Sequence, residues 1–297
     1  MRKILLAIRK KTLEEYARID QTITRDVESV GGEYIIKDYD DLFMCLDGEN
    51  SYVKMGDLDL NDVSLILIRK SPSKDAMNGL RSFLDHKQFI QPYKITNDAD
   101  NKLWQYCIFA RDRVKIPRTI FVPKDGIRRR QKQIVEILKY PLIVKAIRGH
   151  AGESVYLLSN DEDFENFYTI ADESTQKNIE FVFQAKVEND FDVRVLVLNG
   201  QAVKAFKRIP GEGEWKNNTH LGAHIEVYDK VPDDIAEIAI QATTSVGLMI
   251  GGVDVVFDKV TKELRIFEVN PSPSMSNPDS PTLDVISRFI AETLSKI

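Results

Sequence analysis

The feature that most limits how this chain can fold is the regular exchange of short apolar runs with amphipathic stretches over its N-terminal third. Lys3 to Ile8 is a strand-like run, and Thr12-Leu13-Glu14-Glu15 has capping-box spacing ahead of a long amphipathic stretch. Tyr34-Ile35-Ile36 and Val63 to Ile68 read as further buried strands, and Met77 to His86 reads as a helix. Parallel strands need a crossover between them, usually a helix. The rhythm therefore predicts a small, mainly parallel sheet covered by helices.

The pattern then changes. A helix is expected over Asp98 to Arg113, a strand over Arg118 to Val122, and a basic helix around Arg128-Arg129-Arg130. Pro141 to Lys145 and Ser154 to Leu158 read as strands joined by the turn Arg148 to Glu153. Phe191 to Arg208 is a strand–Asn-Gly–strand pattern, the strongest hairpin signal in the chain. A helix from Pro232 to Gly247 begins with proline and acids and ends with glycine. Gly252 to Asp258 and Leu264 to Asn270 are strands, and a closing amphipathic helix carries Leu283, Ile286, Ile290 and Leu294.

Composition excludes several classes. A length of 297 residues with 43% hydrophobic content allows two or three units with real cores. Lys and Arg number 41 against 46 Asp and Glu, so the net charge of −5 disfavours a nucleic-acid or anionic-membrane binder. Cys45 and Cys107 cannot make a disulfide framework or a thiolate zinc site. The apolar run before Arg9-Lys10-Lys11 is too short for a signal peptide, and Ile238 to Phe257 is too interrupted for a membrane span. A soluble, cytoplasmic protein is the expectation.

Three groups of charged residues could carry chemistry. A two-residue loop at Asn199-Gly200 pairs Leu198 with Gln201, hence Arg194 with Ala205 and Asp192 with Lys207. Alternation then puts Asp192, Arg194 and Lys207 on one face, an anion-accepting patch; the plainer reading is a solvated cross-strand ion pair. Glu268 and Asn270 are two apart on a strand and leave one face, while Asp254 sits in a neighbouring apolar strand where an unpaired carboxylate is costly. Asp254 lies opposite Glu268 only if the connecting loop has an odd residue count. Three hard oxygen ligands suit Mg²⁺; the plainer reading is an edge-strand Asp and a turn-forming Asn-Pro. Lys145 ends a strand just before the Gly149–Gly152 turn, where glycine amides could cradle phosphate. There is no GxxxxGK[ST], GxGxxG or GxSxG pattern, and His220 with His224 is not the HExxH zinc signature.

Taken in order, the segments resemble the ATP-grasp superfamily, specifically its RimK-like branch, which contains ribosomal-protein glutamate ligases. The resemblance is carried by Asn101-Lys102-Leu103, Ile116 to Thr119, Pro141 to Lys145 with Gly149 to Gly152, and Phe183 to Val187. It continues through Asp192-Val193-Arg194, Ala205 to Arg208, Lys216-Asn217-Asn218, Gly252-Val253-Asp254 and Glu268 to Pro273. It implies an α/β and α+β chain: an N-terminal Rossmann-like pre-ATP domain (1–97), a central ATP-grasp subdomain with a lid (98–187) and a C-terminal ATP-grasp subdomain with the metal site (188–297). Lys102 and Lys145 would match the nucleotide lysines, Gly149 and Gly152 the lid, and Gln184, Ala185, Lys186 and Val187 the hinge that reads adenine. Asp192 would lie near the ribose. Arg194, Lys207, Lys216 and Asn218 would lie near the γ-phosphate and acyl phosphate.

Asp254, Glu268 and Asn270 would hold Mg²⁺, two ions, with Mn²⁺ as a substitute. The implied reaction is ATP-dependent joining of a carboxylate and an amine through an acyl phosphate, releasing ADP and phosphate. The acceptor would be an amino acid, a peptide or a protein tail, and the chain would be a homodimer or homotetramer. A graspetide-type peptide-modifying ligase and a non-catalytic ATP-binding module are the other readings. Ala185 stands where relatives often carry Glu, Leu221 where the glutamate ligases have Arg, and Ser274 where their turn has Gly. These departures argue against carrying glutamate over as the substrate.

Overall fold

The computed structural model describes residues 3–9, 16–47, 49–68, 73–84, 88–90, 99–148, 154–173, 179–211, 224–271, 273 and 282–297. The capping box at Thr12 to Glu15, the lid glycines Gly149 and Gly152, and Lys216, Asn218, Leu221 and Ser274 lie outside the described residues. The chain forms two compact units, residues 1–97 with 272–297, and residues 98–271. Among the described residues no helix is long and apolar enough to cross a membrane.

The first unit begins with β1 (Lys3–Arg9), α1 (Ala17–Ser29), β2 (Gly32–Asp38), β3 (Leu42–Cys45), β4 (Tyr52–Met55) and β5 (Leu58–Asp59). It continues with β6 (Leu65–Ile68), α2 (Lys74–Phe83) and β7 (Gln88–Phe89). The second unit opens with α3 (Lys102–Arg111), β8 (Thr119–Phe121), α4 (Ile127–Leu138), β9 (Leu142–Ala146), β10 (Val155–Leu158), α5 (Asp161–Glu173) and β11 (Phe181–Ala185). It closes with β12 (Asp192–Leu198), β13 (Gln201–Ile209), β14 (His224–Val227), α6 (Asp233–Ser245), β15 (Ile250–Asp258) and β16 (Glu263–Asn270). The last helix, α7 (Leu283–Ser295), belongs to the first unit.

The first unit holds the expected parallel sheet, in the order β2-β1-β6-β7. Ile4 to Ile8 of β1 are almost wholly buried, as a central parallel strand covered on both faces must be. The closing helix, read from sequence as part of the third segment, packs against α1: Ile286, Ile290 and Leu294 face Ile19, Ile23 and Val27. Each helix has one apolar stripe, and the two stripes bury each other. Gly32 permits the fit, since a Cβ there would meet Leu294 at 2.6 Å and Val27 at 2.9 Å. The antiparallel meander β3-β4-β5 was not expected. Its strands are short and separated by acids and glycine, yet Leu42, Met44, Val53 and Met55 alternate inward to the core.

The second unit contains two antiparallel sheets. In β10-β9-β11-β8, one face carries Leu142, Val144, Phe181 and Phe183 against α4 and α5, with Phe164 stacked on Phe183 at 5.6 Å. Period-two alternation sends Lys145 and Gln184 to the opposite face. In β14-β13-β12-β15-β16, helix α6 covers one face. A Cβ at Gly251 would meet Thr243 of α6 at 2.9 Å, which fixes which face that is. The basic residues Arg128, Arg129 and Arg130 of α4 form an exposed face, on which the Arg128 guanidinium lies 4.1 Å from the Tyr168 ring centre and pairs with Glu165 at 3.2 Å.

Candidate active site

The chemistry-bearing residues lie on the face of the five-stranded sheet away from α6. Two β-bulges put them there. The Asn199-Gly200 turn, with φ of 45° and 77°, starts the β12–β13 hairpin as expected, pairing Leu198 with Gln201. Between Val197 and Leu196 the register shifts, and Val203 becomes the extra residue. Beyond it Arg194 lies opposite Phe206, Val193 opposite Lys207, and Asp192 opposite Arg208. This corrects the expected face of Asp192, Arg194 and Lys207. One extra residue turns Lys207 to the α6 side, where it pairs with Glu226 at 3.0 Å and lies over the Phe191 ring. Arg208 takes its place, and regular alternation gave no signal for that exchange.

The second bulge acts between β15 and β16. The loop after Asp258 has four residues, 259–262, an even count that by itself would set Asp254 opposite Phe267. Phe267 is instead extruded as the extra residue, and Asp254 faces Glu268 while Gly252 faces Asn270. The trio expected to share a face does so, through a bulge rather than an odd loop.

The side chains form one ion network. Arg208 donates to both Asp192 oxygens, at 2.6 and 2.8 Å, and reaches Asp254 Oδ1 at 2.9 Å. Arg194 donates through Nε to Asp254 Oδ1 and through Nη2 to Oδ2 at 3.0 Å. Asp192, Arg208 and Asp254 are all buried. Asn270 donates to Glu268 Oε1 at 3.1 Å, and Lys102 approaches Glu268 Oε2 at 3.3 Å. Lys102 is the first residue of α3, whose N-cap Asn101 accepts from the Trp104 amide at 3.1 Å.

From the other sheet, Lys145 Nζ donates to Gln184 Oε1 at 2.7 Å and lies 4.9 Å from the Phe267 ring centre. Gln184 in turn donates to Thr119 Oγ1 at 2.9 Å. Its side chain is thus engaged in holding Lys145. Ala185 ends β11; Lys186 pairs with Glu188 at 2.8 Å, and Val187 is buried.

Burial drives the Lys145 ammonium down to about 8, against the attraction of Glu268. Burial would raise Glu268, but Lys102, Arg194 and Lys145 outweigh it and hold the carboxyl at about 2. Four cations, Lys102, Lys145, Arg194 and Arg208, therefore surround three carboxylates. Such a site accepts anions.

A family model described as the RimK-like ATP-grasp domain matches residues 99–291. This chain belongs to the RimK-like ATP-grasp family. It is similar to a probable alpha-L-glutamate ligase of Rhodopirellula baltica, 29% identical over 204 residues, which are 66% of this chain and 47% of that protein. It is also similar to the alpha-aminoadipate–LysW ligase LysX of Sulfurisphaera tokodaii, 25% identical over 193 residues, 62% of this chain and 66% of that one. The chain thus spans about half to two thirds of the length of these two curated relatives.

Among solved structures it resembles the macrocyclase MdnC bound with precursor peptide MdnA from Microcystis aeruginosa. The two share 17% identity and a TM-score of 0.71 over 99% of this chain and 100% of that one. A Chryseobacterium gregarium RiPP-associated ATP-grasp ligase in complex with ADP and a leader and core peptide gives 18% identity and a TM-score of 0.70, covering 100% and 97%. These likenesses establish the ATP-grasp fold.

The ATP-grasp family binds ATP with a divalent metal, and the chain's residues fit one. Among the described residues no three His, Cys, Asp or Glu side chains gather as a metal cluster. Asp254 and Glu268 make a donor set only together with the amide oxygen of Asn270, and two carboxylates and an amide suit a hard cation. Sequence reasoning missed Arg208, and also Gln105 and Tyr106 of α3, which are buried against β16.

Proposed function

We propose that this RimK-like ATP-grasp chain is an ATP-dependent carboxylate–amine ligase. The observation that carries the reading is the single sheet face on which Arg194 and Arg208 adjoin Asp254, Glu268 and Asn270, with Lys102 and Lys145 beside them. A substrate carboxylate oxygen bonds to the γ-phosphorus of ATP while the bond to ADP breaks. The amine nitrogen then bonds to the acyl carbon, phosphate leaves and the nitrogen loses a proton. Both steps concentrate negative charge on phosphoryl oxygens.

Arg194 and Arg208 present guanidinium donors to that charge, held in orientation by Asp254 and Asp192. Lys102 and Lys145 attract the nucleotide phosphates. Asp254, Glu268 and Asn270 would hold the divalent ions, two of Mg²⁺ in this reading, which would draw charge from phosphoryl oxygens. Arg208 takes the role that sequence gave to Lys207, and its pairing with Asp192 favours that carboxylate as its counter-ion rather than a ribose contact. The roles of Gly149, Gly152, Lys216 and Asn218, and of Gln184 to Val187 at adenine, rest on the family resemblance. So does a homo-oligomeric state, while a cytoplasmic location rests on composition and the absence of a signal-like segment in the sequence.

The test is ADP and phosphate release with Mg·ATP across amino acids, short peptides and acidic peptide tails, with hydroxylamine to trap an acyl phosphate. Release that depends on one carboxylate and one amine is expected. Asp254→Asn with Glu268→Gln should abolish ADP formation and leave the circular dichroism unchanged; normal turnover in that double variant refutes the metal assignment.

A second reading, closure of side-chain amides or esters within a peptide, draws on the likeness in fold to structures solved with a precursor peptide and with a leader and core peptide, over 97–100% of their length. Loss of water from a single peptide, rather than joining of two molecules, would select it.

A further inference from the structure

Glu268 reaches Asp254 only because Phe267 is extruded, and a four-residue loop does not by itself demand that. We infer that Gln105 and Tyr106 are positioning residues that select the bulged register of β16 and so assemble the Asp254–Glu268–Asn270 face. The inference deepens the ligase reading and rests on it for the face's chemical use, but the register claim stands on geometry alone.

Strand β16 is an edge of its sheet, so alternate backbone groups point away from β15. Helix α3 supplies their partners. The Gln105 amide donates through Nε2 to Val269 O at 2.8 Å and accepts from Val269 N at 2.8 Å. That is the paired N–H···O exchange a neighbouring strand would make. A further Gln105 Nε2 contact, to Ala99 O, uses the second amide hydrogen and fixes the orientation of the group.

Tyr106 donates from its hydroxyl to Phe267 O at 3.0 Å, the carbonyl of the extra residue. Both side chains are 3% exposed, so neither bond is available from water instead. Burial pushes the Tyr106 phenol well above its ordinary range, which keeps it a donor. Lys102, Gln105 and Tyr106 stand at i, i+3 and i+4 on one helix face, and they meet Glu268, Val269 and Phe267.

The alternative register explains what the clamp opposes. Continued without a bulge from the pair Asp258–Glu263, the hairpin sets Asp254 opposite Phe267 and turns Glu268 toward α6. In that register Val269 no longer presents both backbone groups to Gln105, and Phe267 O has no reason to meet Tyr106. Gln105 would keep only its bond to Ala99 O, and Tyr106 would lose the Phe267 carbonyl. Three hydrogen bonds between these buried side chains and β16 would be forfeited, which disfavours the slip.

The experiment compares the full chain with Tyr106→Phe, which removes only the hydroxyl, and Tyr106→Phe with Gln105→Met, which keeps the volume. Amide exchange at residues 266–270 is followed by mass spectrometry. Mn²⁺ binding to the ATP-loaded protein is followed by electron paramagnetic resonance, and ATP binding is measured in EDTA.

The double variant should exchange at least tenfold faster at 266–270 than at β12. It should bind Mn²⁺ about tenfold more weakly, yet bind metal-free ATP within about twofold of the parent. Tyr106→Phe alone should move the same two readouts in the same direction. Unchanged exchange and Mn²⁺ affinity in both variants overturn the inference, as does an equal loss of metal-free ATP binding, which marks general destabilisation. If Mn²⁺ affinity in the parent is indifferent to Asp254→Asn, the ligase reading fails while the exchange data still decide the register.

Discussion

The two hairpins of the five-stranded sheet solve one problem in opposite ways. In β12–β13 the extra residue, Val203, is 37% exposed, near a tight Asn-Gly turn. In β15–β16 the extra residue, Phe267, is held by Tyr106 through its carbonyl and covered by Lys145 on its ring. The first bulge is kept by what lies beyond it: the buried Asp192–Arg208 pair stabilises the shifted register from the far end. The second is kept by clamps at the bulge itself. A bulge can therefore be enforced at a distance by a buried ion pair or locally by buried hydrogen bonds, and this sheet uses both.

The largest expected effect comes from breaking the distant lock. Arg208→Met leaves Asp192 and Asp254 buried with one cation fewer, and should cost about 3–5 kcal/mol of unfolding free energy in urea titrations. If the ligase reading holds, turnover should also fall about 10²-fold or more. Lys207→Met, one residue away but on the other face, removes a pair with the half-exposed Glu226 and should cost under about 1 kcal/mol. Similar losses from the two substitutions would mean that the β13 bulge is absent in solution.

An intermediate effect concerns Lys145. Its ammonium is charged below about 8 and neutral above, because burial lowers its affinity for the proton. Metal-free ATP affinity should weaken as the pH rises through 8, and binding above that pH should take up a proton, measurable by calorimetry in buffers of different ionisation heat. Lys145→Arg should flatten the profile, since a guanidinium stays charged. A parent profile flat to pH 9.5 would remove Lys145 from phosphate binding.

The smallest effect should come from deleting Val203. The register on both sides of the bulge is preserved by that deletion, so ATP affinity should change less than about threefold and the midpoint of thermal unfolding only slightly. Loss of ATP binding would show that the local twist at Val203, not the ion pair, aims Arg194 and Arg208.

Much of this molecule was legible in advance. The β/α alternation of the first unit, the Asn199-Gly200 turn, the α6 boundaries and the face shared by Glu268 and Asn270 follow from period, turn chemistry and spacing, whereas Asp254 joins that face only through the β16 bulge. The misplaced side chain was Lys207. Its neighbour Arg208 looked equivalent in composition, and a single extruded residue, which carries no marker in the sequence, exchanged them. Gln105 and Tyr106 were missed for a related reason. A polar residue inside a helix reads as solvent-facing, and only the edge of β16 makes its burial favourable.

Sequence alone marked most of the segments that become strands and helices, though not, for example, the β3-β4-β5 meander or β14, because apolar period and turn residues act over a few neighbours. It determined the family as well, through short segments kept in order from Lys102 to Asn270. Tertiary structure decided the pairing register beyond each bulge, the docking of α7 on α1 and the identity of the second arginine at the site. Those choices depend on which buried donors and acceptors find each other across distances of up to hundreds of residues, and the local pattern of a chain holds no record of that.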